Sequence, residues 1–337
     1  MSTIANNTSN NNEEQSPNKK QRTEYFPAID LSVLDRNAQE NQQKQRHTRD
    51  SLDFCVTISP CQLFTLVSTL KNLLNTVTIN VVNKESFKGL QCDSTSPAMT
   101  CMVKSKLACT VYVHPDIGEK TNFIVHVSEF ADVIKECTSK GTQTIEIFRE
   151  RGSSTLTLDC PRAVPRDTFQ LRTLVQETVD SRLQKMKILL QVQLKLHEIK
   201  AFCQSCVKFK AETISITVLE KESDKGSKVQ SYVVLGFQSD ALTRSMKFPT
   251  SIEKNENGEM QAVCDKTGAG GNINLSGFVK KYSEHFAVEF LNQFFKSIDR
   301  NQIWMNLTAD EGPMIVHYSL GNDQSYMRLV LAPKSED

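Results

Sequence analysis

Apolar and polar residues alternate from Leu52 to Ile58, the pattern of a half-buried β-strand. Ser59 and Pro60 follow as an N-cap and a first-turn proline. Leu63, Leu66, Val67, Leu70, Leu73 and Leu74 then recur at helical spacing, with Gln62, Thr65, Thr69, Lys71 and Asn72 on the other face. Strands are predicted over residues 77–82, 89–92, 98–105 and 108–113. A second helix is predicted over residues 128–140, with Phe130, Val133, Ile134 and Cys137 inward. Residues 143–149 and 154–159 read as a hairpin.

The plan then repeats. Residues 188–195 alternate as a strand, and residues 198–208 form a helix with Ile199, Phe202, Cys203 and Cys206 inward. Strands are predicted over 214–219 and 271–276. A terminal helix over 286–298 has apolar residues at 287, 290, 291, 294 and 298, with Ser283 ahead of it as an N-cap. Three strands follow, over 302–308, 314–320 and 326–331, parted by polar turns. Strand, helix, strands, helix, strands thus occurs twice, an internal repeat with little side-chain identity. Residues 168–186 between the copies are polar and read as a connecting loop. Residues 221–260 fit the repeat poorly. They read as an enlarged loop or an added hairpin around apolar Tyr232–Phe237.

A chain of 337 residues can bury a sizeable core. Its net charge of +1 supplies no global basic field, so any nucleic-acid contact needs charge gathered on one surface. Residues 1–50 are Asn/Gln-rich and read as a disordered tail. In that tail, Lys19-Lys20-Gln21-Arg22 reads equally as a nuclear import signal or as solvated charge. The N-terminus has no signal-peptide pattern and no stretch is apolar enough to span a membrane, so an intracellular protein is expected. The ten cysteines form no framework and read as small core residues.

Catalytic chemistry finds no support. Cys203-Gln-Ser-Cys206 lacks the second pair that a zinc site needs. Gly268-Ala-Gly-Gly271 lacks the Lys-Ser/Thr ending of a phosphate loop and reads as a turn. The histidines show no His-Glu-x-x-His spacing, His317 reads as a sheet residue, and no nucleophile elbow occurs. No enzyme, metal or cofactor is expected.

The order of helix and three strands ending on Leu331-Ala332-Pro333-Lys334 resembles the end of the proliferating cell nuclear antigen (PCNA) family of DNA sliding clamps. Leu90-Gln91-Cys92-Asp93-Ser94 resembles that family's Leu-Gln-x-Asp segment, and Gly271–Ser276 resembles one of its strands. The resemblance implies an α+β DNA-clamp fold. Two similar domains, 51–167 and 187–334, would each carry helices on one face of antiparallel sheets, joined by the loop 168–186 and followed by an acidic tail at 335–337. Three identical chains would close into a ring around duplex DNA. The ring would act as a processivity factor in DNA replication and repair and bind without reading sequence. Implied partners are DNA polymerase, a clamp loader and proteins with PCNA-interacting peptides, in the nucleus or at the cytoplasmic replication site of a large DNA virus.

The resemblance also assigns residues. Lys71, Lys135, Lys140, Lys200, Lys208 and Lys296 would face DNA, while Asp132 and Glu289 stand where the family carries basic residues. Cys92, Asp93, Pro97, Met99, Leu183, Met186, Pro313, Ala332, Pro333 and Lys334 would receive client peptides. Thr155, Leu156, Thr157 and Leu158 of one subunit would pair with Asn272, Ile273, Asn274 and Leu275 of the next. The alternatives are a specialised clamp subunit and a β-rich carbohydrate- or protein-binding module. The specialised subunit would be part of a checkpoint-type heterotrimer, or a monomeric or dimeric viral processivity factor.

Overall fold

The computed structural model describes residues 49–96, 100–161, 167–175, 186–221, 231–254, 256, 258, 260–264, 278–298, 301–309, 312–321 and 323–334. The expectations for residues 1–48 and for the strand 271–276 lie outside these residues.

The first half runs β1 (Leu52–Ile58), α1 (Pro60–Leu73), β2 (Thr76–Lys84), β3 (Phe87–Thr95), β4 (Cys101–Ala108), β5 (Thr110–Val113), β6 (Lys120–His126), α2 (Val127–Ser139), β7 (Ile145–Glu150), β8 (Thr155–Cys160) and β9 (Asp167–Arg172). The second half runs β10 (Ile188–Lys195), α3 (Leu196–Lys208), β11 (Thr213–Lys221), β12 (Ser231–Gln238), β13 (Thr243–Lys254), β14 (Met260–Cys264), β15 (Phe278–Ala287), α4 (Val288–Lys296), β16 (Gln302–Thr308), β17 (Met314–Ser319) and β18 (Tyr326–Leu331). Among the described residues each half has nine strands and two helices in one order, so the repeat is real. Two readings change. Within 221–260, β12 and β13 pair as a hairpin, one of the two readings, but as regular strands of the repeat rather than an addition to it, and β9 occupies the start of the expected connecting loop. Phe169 and Leu171 alternate there with Thr168, Gln170 and Arg172, a period of two carried by only two apolar residues.

Each helix starts straight from a strand. Ser59, His126, Lys195 and Ala287 hold one extended conformation, with φ from −75 to −62° and ψ from 116 to 125°. No side chain caps these starts. The first helical N–H must therefore find another acceptor. Val127, Leu196 and Val288 donate to the carbonyls of Asn75, Glu212 and Asn301 that precede neighbouring strands, in the pairs Val127–Asn75, Leu196–Asn301 and Val288–Glu212. In α1 the first residue is Pro60, which has no N–H to satisfy. Ser283 is thus not an N-cap; it lies within β15.

The strands form two sheets. One has the order β5-β1-β7-β8-β9, the other β15-β11-β12-β13-β14-β10-β16-β17-β18-β4-β3-β2-β6. The long sheet crosses from half to half where β18 pairs antiparallel with β4, Tyr326 opposite Lys106 and Leu331 opposite Cys101. The helices lie in a row, α2-α1-α4-α3. Asn72 Nδ2 donates to Ser297 Oγ (3.0 Å) and Ser297 Oγ to the Ser68 carbonyl (3.3 Å), tying α1 to α4 across the halves. Each helix buries one face: Leu63, Leu66, Val67 and Leu70 of α1, Phe130 and Ile134 of α2, Phe202 and Cys206 of α3, Phe294 and Phe295 of α4. Burying each Leu or Phe contributes about 2 kcal/mol, which outweighs the missing caps.

The expected subunit contact at Thr155, Leu156, Thr157 and Leu158 is not available. These residues lie in β8, which pairs with β7 on one side and β9 on the other, and Leu156 and Leu158 are fully buried. A strand with both edges occupied has no donors or acceptors left for a partner. Open edges lie elsewhere, among them those of β9 and β13. Among the described residues β9 pairs only with β8. β13 pairs with β12 over 243–250 and with β14 over 250–254, which leaves its second edge open over 243–249.

Candidate nucleic-acid and peptide-docking surfaces

The helix row presents one exposed face. Lys71 reaches across from α1 to Asp132 of α2, with Nζ 2.7 Å from the carboxylate. Lys135, Lys208 and Lys296 are exposed, and Lys208 lies over the Phe209 ring. Lys200 Nζ donates to the Lys296 carbonyl (3.2 Å), joining α3 to α4. Lys140 differs from the rest. It caps the end of α2, where it meets Asp167 and Glu136 and lies over the Phe169 ring, so it faces β9. Asp167 first and Glu136 second raise its pKa. The row therefore gathers five of the six expected lysines on helices. It also exposes Glu129, Asp132, Glu136 and Glu289 beside them.

The second surface is the outer face of the long sheet where the halves meet. The Ala332 N–H donates to the Thr100 carbonyl (3.2 Å), and the Lys334 N–H to the His285 carbonyl (2.8 Å). Lys334 Nζ also pairs with Glu212 (2.8 Å), beside a polar cleft of about 720 Å³. Met314 lies opposite Leu331, so Pro313, Ala332 and Pro333 come together at one end of the β17-β18-β4 seam. The Pro313 carbonyl accepts from Thr308 Oγ1 (2.8 Å). Asp93 faces outward near Lys104 (3.8 Å) and accepts from Gln91 Nε2 (2.7 Å). Met186 is half-buried, while Pro97, Met99 and Leu183 lie outside the described residues. Cys92 is a correction: its side chain is 1% exposed in the core, on the face of β3 opposite Asp93, so it cannot touch a docked peptide.

Other residues of this face were not singled out from the sequence. Ile315, Val330 and Met102 stand opposite one another on β17, β18 and β4, an apolar row beside Ala332. The next row is mostly polar, His317, Arg328, Lys104 and Asp93 in line with the aromatic Trp304. The signal was strand alternation, since each has the parity opposite to the core residues Met305, Val316, Leu329, Val103 and Cys92. Burial first, then the Arg328 charge, lowers the His317 pKa from 6.5 to about 4, and its Nδ1 has no partner among the described residues. The fold therefore holds His317 neutral where the unfolded chain takes up a proton. Stability from this site is complete above pH 6.5 and lost as pH falls toward 4, by up to about 3 kcal/mol. His317→Phe is expected to flatten the pH dependence of urea unfolding in that window. A slope equal to that of the wild type would assign the acid loss elsewhere.

No protein-family model matches the chain, and no curated protein sequence does. Solved structures do match its fold. The PCNA of Entamoeba histolytica superposes with a TM-score of 0.62 at 11% identity, over 84% of this chain and 100% of that one. A PCNA2-PCNA3 complex from Sulfolobus tokodaii gives a TM-score of 0.58 at 13% identity, again over 84% of this chain and 100% of that one.

Proposed function

We propose, on the premise that the chain has the PCNA-like sliding-clamp fold, that it is a DNA sliding clamp. Copies close into a ring around duplex DNA, and the ring tethers DNA polymerase and other replication and repair proteins. It carries out no catalysis and needs no cofactor.

The carrying observation is the repeat itself. Within the chain, the ninth strand of the second half, β18, pairs with the fourth strand of the first half, β4. Their counterparts are the ninth strand of the first half, β9, and the fourth of the second, β13, and among the described residues each of these keeps an open edge. The joint seen inside the chain can thus be made once more between chains, head to tail, and such a heterologous contact closes when its rotation does. The flanks agree. Phe169 and Leu171 of β9 and Met246 of β13 pack on the core but are only partly covered. Arg244 Nη1 ties β13 to Ser205 of α3 (2.6 Å), where Val207 and Phe209 are 47% and 38% exposed.

Three copies, six halves, are the proposed ring. Lysines on the helix row touch phosphates, and topology provides retention. Client peptides lay an aliphatic and two aromatic side chains on the Ile315-Val330-Met102 row, against Pro313, Ala332 and Pro333. A clamp loader opens the ring. The proposed setting is the nucleus or the replication site of a large DNA virus. The test is retention on DNA: loaded protein is expected to stay on a closed circle at salt that strips it from a short linear duplex. Equal loss from both sinks the clamp reading.

A second reading is a ring of unlike chains. It is favoured by the Sulfolobus tokodaii structure, which is a complex of PCNA2 with PCNA3. Native mass decides: three times 38.0 kDa for the first reading, and single chains until a different partner is added for the second.

A further inference from the structure

Given the clamp reading, we infer that the duplex is carried on α3 and α4 of each subunit and kept off α2 by an acidic stripe. The two halves repeat in fold but not in charge. The helices of the first half carry two lysines, Lys71 and Lys135, against three carboxylates, Glu129, Asp132 and Glu136. Those of the second half carry three lysines, Lys200, Lys208 and Lys296, against two carboxylates, Glu198 and Glu289.

Position sharpens the difference. Glu129, Asp132 and Glu136 follow one another at steps of three and four, so they line one face of α2, and all three are exposed. Asp132 holds Lys71 at 2.7 Å, so a phosphate that approaches Lys71 meets a carboxylate with it. Lys140 adds nothing, because it sits between Glu136 and Asp167. On the other half, Glu198 has Lys195 at 3.7 Å, which leaves the helix lysines less opposed. Lys200 spends one of its three protons on the Lys296 carbonyl and keeps two for phosphate oxygens. Lys208 and Lys296 lie in the last turns of their helices, exposed. Each subunit thus offers a basic half followed by an acidic half. Around a ring, the phosphates meet alternating contact and repulsion.

The experiment measures the salt dependence of binding to a circular duplex, with native mass as the control for assembly. Each phosphate contact contributes about −0.9 to the slope of log affinity against log salt. Lys200→Gln with Lys208→Gln and Lys296→Gln is expected to flatten the slope by about two to three per subunit engaged. Lys71→Gln with Lys135→Gln should move it by less than one contact. Glu129→Gln with Asp132→Asn and Glu136→Gln should steepen it by about one or more. Equal flattening by the two lysine sets, or no steepening by the third variant, overturns this inference while leaving the clamp reading intact. Failure of the wild type to stay on the circle overturns both.

Discussion

Replacing Leu171 and Met246 together by Glu is expected to reduce the native particle to single chains. Both side chains pack on the core with part of their surface uncovered, on strands whose outer edges are open. Closure of β9 on β13 would cover that surface. Each Glu removes about 1–2 kcal/mol of apolar burial and adds several kcal/mol for desolvating a carboxylate. A joint weakened by about 4 kcal/mol loses about a thousandfold in affinity. Light scattering should read one chain, while the far-ultraviolet circular dichroism stays that of the folded wild type, with a lower melting temperature from the lost joint. Leu156→Pro is the contrast. Leu156 is fully buried in a strand paired on both sides, so a proline there removes a ladder bond and should unfold the half rather than release intact monomers. If the double Glu variant still runs as three copies, β9 and β13 are not the joint.

Ile315→Asp is expected to abolish client-peptide binding. A peptide of the form Gln-x-x-aliphatic-x-x-aromatic-aromatic should bind the wild type with micromolar affinity, since its anchors bury enough apolar surface to exceed the cost of association. Ile315 is the outer end of the apolar row with Val330 and Met102, and it is half-buried, so the substitution places a charge under the anchors without entering the core. A loss of at least about a hundredfold follows from an unpaired buried carboxylate. Calorimetry is the measurement, with Ala332→Asp/Pro333→Ala as an independent lesion of the same surface. Equal binding by Ile315→Asp and wild type would move the site off this row.

Much of this was legible in the sequence, and the reasons differ by element. β1, β10, β16 and β18 have the predicted bounds, because their core sides are unbroken apolar residues, Leu, Val, Ile, Phe and Met, at a period of two. The helices were legible from their apolar faces, but not their starts. Those starts are set by carbonyls of Asn75, Glu212 and Asn301, which are remote in sequence. β9 was hidden by its composition, since an edge strand needs only one apolar side. The subunit contact was misplaced for a related reason. Period two marks a strand without saying whether its edges are taken, and β8 has both edges taken. For the docking face, matching short motifs selected Cys92, whereas alternation would have rejected it and found Ile315 and Met102. For the helix row, identities alone favoured all six lysines. Only contacts show that Lys140 belongs to β9 and that Lys71 is held by Asp132.

If copies do assemble as proposed, a single chain carries the β9 and β13 edges bare, and long flat edges invite indiscriminate strand addition. β13 has twelve residues, enough to template a foreign strand, but β14 covers its last five. Pro249 withholds a donor just before that cover, and Arg244 and Lys247 place charges on the remainder. β9 has only six residues, with Asp167 and Arg172 at its ends. These are gatekeepers in the sense used for aggregation: they shorten and charge each edge until only a partner of matching length gains from pairing.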